Sequence, residues 1–232
     1  MGGEGIVNVL HQIDCMEYMA TVPDNHFDLA IIDPIYMEGF SVGSWFDGKA
    51  KNKDYKNKTE ILEIKTKDDY FIELFRVSKK QIIWGGNYFN IPISRGWIVW
   101  DKLTGDNNFS DCELAWTSFD KILKKFTFRW QGMLQGNMKN KEIRIHPTQK
   151  PVALYKWLLT NYAKPGYKLF DSHSSSGSFR IAAHDMGFDL TSCELDPDYC
   201  RDNEARYQKH IQQNELFSTE EIQEKIYIQG EL

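Results

Sequence analysis

Phe27-Asp28-Leu29-Ala30-Ile31-Ile32-Asp33-Pro34-Ile35-Tyr36 is an apolar run that ends abruptly in a carboxylate, a proline and an aromatic ring. Hydrophobicity without polar alternation marks a strand buried on both faces, the pattern of a parallel sheet. Pro34 cannot donate to a strand ladder, so Asp33 to Tyr36 are expected on the turn at the carboxyl end of that strand. Open α/β sheets place their ligands at that end. Asp33 brings a hydrogen-bond acceptor, Pro34 a rigid backbone whose carbonyl can be aimed, and Tyr36 a flat face for a planar base. Together they suit an exocyclic amine, although the same letters also describe an Asp-Pro turn followed by a core tyrosine.

Working outward, the carboxyl-terminal half repeats the theme. Tyr167 to Phe170 reads as a strand that delivers Asp171 into the small-residue turn Ser172-His173-Ser174-Ser175-Ser176-Gly177-Ser178, followed by a helix over 179–186. Small residues let backbone amides approach a ligand at a helix amino end. Asp189 to Cys193 is the next strand and ends in Glu194, placed after a second strand to accept hydrogen bonds from ribose hydroxyls. Asp196-Pro197 then caps a last helix.

Toward the amino terminus, Ile6 to Leu10 reads as a strand, and Asp14 with Glu17 as the start of a helix. Thr66-Lys67-Asp68-Asp69 opens another helix whose apolar face is Tyr70, Phe71, Leu74 and Phe75. Strands are expected at Gln81 to Trp84, Gly96 to Trp100 and Cys112 to Phe119. His146-Pro147-Thr148-Gln149-Lys150-Pro151 precedes a helix striped by Leu154, Trp157, Leu158 and Tyr162, with Thr148 and Pro151 as starting residues and Lys164-Pro165-Gly166 as its stop.

With 232 residues the chain suits one domain carrying a modest insertion. The expected limits are a body over 1–212, an inserted loop over 37–65, a basic variable stretch at about 120–145 and a polar tail over 213–232. Cys15, Cys112, Cys193 and Cys200 include no Cys-x-x-Cys pair, so buried reduced thiols are expected and neither a metal site nor a disulfide framework. No stretch approaches a membrane span of roughly 18 apolar residues, and a soluble cytoplasmic protein is expected. The net charge of −5 argues against non-specific coating of nucleic acid, but basic residues cluster locally. One cluster includes Lys49, Lys51 and Lys53, in a loop that is either solvated or closes on DNA. The other includes Lys124, Lys125, Arg129, Lys139 and Arg144, interleaved with Phe126, Phe128, Trp130 and Met133, and reads equally as a nucleic-acid surface or a covered sheet edge.

Asp33-Pro34-Ile35-Tyr36 resembles the Asp-Pro-Pro-Tyr signature of DNA amino-methyltransferases acting on adenine N6 or cytosine N4, with Ile35 in place of the second proline. His146 to Pro151 is identical to a block of one permuted class of that family. The turn after Asp171 is similar to the family's Asp-x-x-x-Gly-x-Gly, with Ser175 replacing the first glycine and Gly177 keeping the second. The order of these motifs resembles the permuted beta class from Val7 to about Tyr207.

That resemblance implies a doubly wound, mostly parallel, seven-stranded Rossmann-like sheet, circularly permuted. It further implies S-adenosyl-L-methionine as cofactor and double-stranded DNA as partner, and admits a homodimer and a cognate restriction nuclease. It assigns Asp33, Pro34 and Tyr36 to catalysis. To the cofactor it assigns Asp14, Cys15, Asp33, His146, Thr148, Lys150, Asp171, Ser172, His173, Ser175, Gly177, Ser178, Glu194 and Leu195. Aspartate at position 33 leans toward adenine, where cytosine enzymes more often carry serine. The alternatives are a cytosine-N4 or RNA enzyme, or a binding relic impaired by the changes at Ile35 and Ser175.

Overall fold

All four residues of Leu29–Ile32 are buried, and their alternation feeds two hydrophobic layers. Leu29 and Ile31 face one layer, Ala30 and Ile32 the other. The computed structural model describes residues 6–35, 68–105, 110–131 and 134–229. Tyr36, Lys49, Lys51, Lys53, Thr66, Lys67, Met133 and the 37–65 insertion lie outside the described residues.

The described chain runs β1 (Asn8–Gln12), α1 (Cys15–Ala20), β2 (Leu29–Ile32), α2 (Asp68–Val77), β3 (Gln81–Trp84), β4 (Trp97–Asp101), β5 (Cys112–Thr117), β6 (Lys124–Thr127), β7 (Trp130–Gln131) and β8 (Leu134–Gln135). It continues through α3 (Val152–Tyr162), β9 (Lys168–Asp171), α4 (Ser178–Asp185), β10 (Asp189–Glu194) and α5 (Pro197–Gln229). The main sheet has the order β1-β10-β9-β2-β3-β5-β4-β6. Only β5 runs against its neighbours, so the sheet is mostly parallel as the sequence implied. Its described strands number eight, one more than expected, because Lys124–Thr127 pairs with β4 at the far edge.

Packing explains the layers. Leu154, Leu158 and Leu159 of α3 join Phe179, Ala182 and Ala183 of α4 over one face of the sheet. Met19 of α1 joins Tyr70, Phe71, Leu74 and Val77 of α2 over the other. Each fully buried aliphatic side chain contributes on the order of 1.5–3 kcal/mol.

Boundaries move where long-range pairing outweighs local pattern. β1 starts two residues later than Ile6 because its ladder is set by β10, with Asn8 opposite Leu190, while Val7 N donates to the Asp189 side chain at 2.8 Å. Helix α1 begins as read, Asp14 Oδ1 accepting from Met16 N at 2.7 Å. Pro151 caps α3, but Thr148 does not; its hydroxyl lies 3.0 Å from His146 Nδ1, and Val152 N donates to Glu142 Oε1 at 2.9 Å. Asp196 accepts from the amides of Asp198 and Tyr199 and so starts α5, which continues to Gln229 through the segment read as a polar tail.

Gly177 caps α4 at φ 72°, and a Cβ built there would lie 2.4 Å from Asn203 Oδ1. Asn203 cannot retreat easily, because Arg180 Nη1 donates to its Oδ1 at 2.9 Å and its Nδ2 donates to Ser174 Oγ and the Ser175 carbonyl. Gly177→Ala combines left-handed strain with that clash and should lower stability by about 2–4 kcal/mol. Urea denaturation checks this, and an unchanged midpoint would contradict it.

Candidate active site at the carboxyl edge of the sheet

β2 and β9 lie side by side, Ala30 opposite Phe170, and the chain leaves them in opposite directions, β9 to β10 and β2 to β3. Such a reversal opens a crevice beyond the strand ends. Asp33 follows β2, Asp171 ends β9 and Glu194 ends β10, so three of the sequence-derived acids share one edge.

Backbone amides hold this edge in shape. Glu194 Oε2 accepts from Ser175 N at 2.8 Å and Oε1 from Asp196 N at 3.1 Å, leaving lone pairs for a ligand. Asp171 Oδ1 accepts from His173 N at 3.1 Å. Ser175 has φ 46°, so the residue that replaces glycine sits in the left-handed region and carries strain of about 1 kcal/mol. Its hydroxyl donates to the His173 carbonyl at 3.2 Å. Ser172 Oγ lies 2.5 Å from Tyr70 Oη and 2.8 Å from His173 Nδ1, joining the turn to α2.

Burial pushes Asp171 up to about 8, opposed by the His173 amide and reinforced by Asp33 and Glu194. Burial likewise raises Glu194, against the amides of Asp196 and Ser175. His173 is held down at about 4 by burial, so its ring is neutral near pH 7. Cys15 is pushed up to about 12 by burial with Asp14 adding to it, and burial raises Cys193 as well, so both thiols stay protonated. The expectation of buried thiols fails at Cys112, which is exposed at the start of β5, and is met only in part at half-buried Cys15. Leu195 is exposed directly after Glu194.

The His146 to Pro151 block divides between two tasks. His146 is buried with its ring centroid 4.3 Å from that of Tyr199, close to the start of α5. Gln149 fastens the preceding stretch, its carbonyl accepting from Trp130 Nε1 at 2.8 Å and its Oε1 from Ile145 N at 2.9 Å. Lys150 points at Asp33, not at Asp171 or Glu194, with Nζ 2.6 Å from Asp33 Oδ2 and 3.0 Å from Glu113 Oε2. Lys102 pairs with the other oxygen of Glu113.

Burial raises Asp33, with Lys150 opposing and Glu113 adding. For Glu113, burial is outweighed by Lys150 and Lys102, which hold it at about 2. Buried side-chain atoms without a hydrogen-bond partner among the described residues include Asp33 Oδ1 and Glu113 Oε2. The two differ, because Glu113 Oε2 still lies 3.0 Å from the Lys150 ammonium and is in ion-pair contact with it. Glu113 and Lys102 were missed in the sequence; the available signal was an acid opening an otherwise apolar strand, Cys112-Glu113-Leu114-Ala115-Trp116.

The basic stretch divides into packed aromatic rings and exposed cations. Phe126 packs on Trp157, ring centroids 5.4 Å apart, and so covers the sheet edge, while Lys124, Lys125, Arg129 and Lys139 are exposed. Lys125 also approaches Asp101 at 3.3 Å. Arg144, from the same expected set, is half-buried against the Trp130 ring and donates to the Pro147 carbonyl at 2.7 Å.

The family model for DNA methylase of the N6/N4 type matches residues 45–205. The chain belongs to that family. The matched span begins beyond the Asp33 turn, whose assignment therefore rests on the sequence and the geometry. Type II methyltransferase M1.MboII of Moraxella bovis is 22% identical over 87% of this chain and 96% of its own length. Putative methylase YubD of Escherichia coli K12 is 24% identical over 84% of this chain and 88% of its own.

Among solved structures, TTHA0409 of Thermus thermophilus, a putative DNA modification methylase, superposes with a TM-score of 0.56 at 18% identity, covering 88% of this chain and 96% of that one. It has also been solved with S-adenosyl-L-methionine. The cytosine-N4-specific PvuII DNA methyltransferase superposes equally well, TM-score 0.56 at 13% identity, over 88% of this chain and 87% of that one. These likenesses confirm the methyltransferase fold.

Asp171 supplies a pH test of the site. Its carboxyl titrates near 4 when unfolded and at about 8 when native, so between those values the native state keeps a proton that the unfolded chain has released. The group therefore costs stability increasingly as pH rises from about 4 to about 8, and fully above 8. Asp171→Asn should raise the Tm of the ligand-free protein clearly more at pH 8.5 than at pH 5. Equal shifts at both pH values would contradict the assigned environment.

Proposed function

We propose that this chain transfers a methyl group from S-adenosylmethionine to the N6 amine of a flipped adenine in double-stranded DNA. DNA methyltransferase activity and this methyl donor belong to the family as a whole. The adenine assignment is the finer step, and it leans on aspartate rather than serine at position 33.

The observation that carries the reading is the buried Oδ1 of Asp33, without a hydrogen-bond partner among the described residues, next to buried Pro34 at the crevice between β2 and β9. A buried acceptor without a donor is costly and calls for one from a ligand. The donor molecule supplies an electrophilic methyl on a positively charged sulfonium. An edge carrying Asp33, Asp171 and Glu194, with burial raising each of them, fits such a cation, because positive charge restores their ionised forms. Glu194 retains acceptor capacity for ribose hydroxyls, and the Ser172 to Ser178 turn is small enough for close approach.

Because a stacked base cannot present its amine, the target nucleotide leaves the duplex. Asp33 Oδ1 and the Pro34 carbonyl then accept the two amine hydrogens, which turns the nitrogen lone pair toward the methyl group. Tyr36 is assigned to the face of the base, and Asp33 is the base for the proton lost after transfer. Most of the acceleration is then orientation and fixed charge. Ile35 leaves both acceptors intact, so a second proline is dispensable for the chemistry.

Digestion of DNA from cells expressing the protein, followed by mass spectrometry of the nucleosides, decides the base. N6-methyladenine above the level of an empty-vector control is the expected result. N4-methylcytosine in its place would replace adenine as the target, and neither would overturn the proposal.

A further inference from the structure

Four charged side chains of alternating sign lead to the reacting end of the crevice: Lys102, Glu113, Lys150 and Asp33. The Lys150 side chain is 3% exposed, and its ammonium sits 5.3 Å from the Trp84 ring centroid, as that of Lys102 sits 5.2 Å from that of Trp100. Antiparallel pairing fixes the middle of the chain, placing Glu113 opposite Trp100 on β4, the strand that Lys102 directly follows.

The sequence of charges is asymmetric at its last member. Glu113 meets an ammonium at each oxygen, and Lys150 meets a carboxylate on either side. Among the described residues Asp33 is held through Oδ2 only, and Oδ1 is left without a hydrogen-bond partner. An ion pair built for stability alone gains from satisfying both oxygens. One held oxygen and one free oxygen is instead the geometry of an aimed acceptor.

We propose that Lys150, itself held by Glu113 and Lys102, is a positioning residue that clamps Asp33 through Oδ2 so that Oδ1 alone meets the target amine. This rests on the reading of Asp33 given under Proposed function. The clamp also keeps Asp33 an acceptor. Were Asp33 protonated, its hydroxyl would donate to the amine nitrogen and occupy the lone pair that must attack the methyl group. The groups facing Asp33 are Lys150, Glu113, Lys102, Asp171 and Tyr155. Burial and the acids Glu113 and Asp171 favour the protonated form, whereas Lys150 is the cation in contact with the carboxylate.

The test compares wild type with Lys150→Met, Lys150→Arg and Glu113→Gln in single-turnover methylation of duplex DNA across pH 6 to 9.5, at saturating S-adenosylmethionine. Its affinity is measured separately, and the Asp33 carboxyl is titrated by NMR. Lys150→Met should lower the rate at pH 7 by at least about tenfold, move the acid limb upward by about one pH unit or more, and recover part of the loss at pH 9. Cofactor affinity should stay within about threefold, and Lys150→Arg should keep the wild-type pH profile with a rate within about tenfold.

Folded Lys150→Met with the wild-type pH profile and an unmoved Asp33 titration would overturn the clamp while leaving Asp33 in its role. Loss of cofactor binding in that variant would make Lys150 a cofactor ligand and also overturn it. If Lys150→Met does not fold, Glu113→Gln decides: a rate lowered by about threefold or more at unchanged cofactor affinity supports the clamp, and an unchanged rate refutes it. A wild-type protein inactive on all DNA would remove the reading of Asp33, and the carboxyl titration would still report whether Lys150 governs that group.

Discussion

Parallel pairing of β2 with β9 is the constraint on which the site depends. It sets the turn that carries Asp33 beside the turn that carries Asp171, and it does so where the chain leaves neighbouring strands in opposite directions, β9 to β10 and β2 to β3. Two motifs that are far apart in sequence become one crevice, with Glu194 added by the next strand. Burial on both faces makes a register slip costly, since every side chain would change layers. The chemistry is therefore held by packing far from the reacting atoms.

Electrostatics then separates acids that look alike in the sequence. Asp171 and Glu194 are acids raised by burial and held by backbone amides, an arrangement that favours a cationic ligand. Asp33 is tied to a buried lysine and keeps one oxygen without a hydrogen-bond partner among the described residues. Glu113, between two lysines, stays ionised and pairs with that lysine. Environment, not residue type, distributes the roles.

What the sequence disclosed follows from how local each signal is. An apolar run stopped by an acid marks a strand end, so Asp33, Asp171 and Glu194 were legible, as were the caps at Asp14 and Asp196. The direction of Lys150 was not, because it depends on where α3 packs, and Glu113 with Lys102 depends on the β4 to β5 register. Charge alone also gave no sign of the neighbours of Arg144, the Trp130 ring and the Pro147 carbonyl. Ser175 is a different case: it stands where the family pattern has glycine, and its φ of 46° lies in the left-handed region that glycine favours.

The account stands on Asp33 as the acceptor of the target amine. Single-turnover transfer of labelled methyl from S-adenosylmethionine to duplex DNA, measured for wild type and Asp33→Ala with cofactor affinity determined in parallel, tests this most directly. The expected result is a loss of at least about 100-fold in rate with cofactor affinity within a few-fold. An Asp33→Ala protein that retains more than about a tenth of the wild-type rate, or that loses cofactor binding in equal measure, would contradict it.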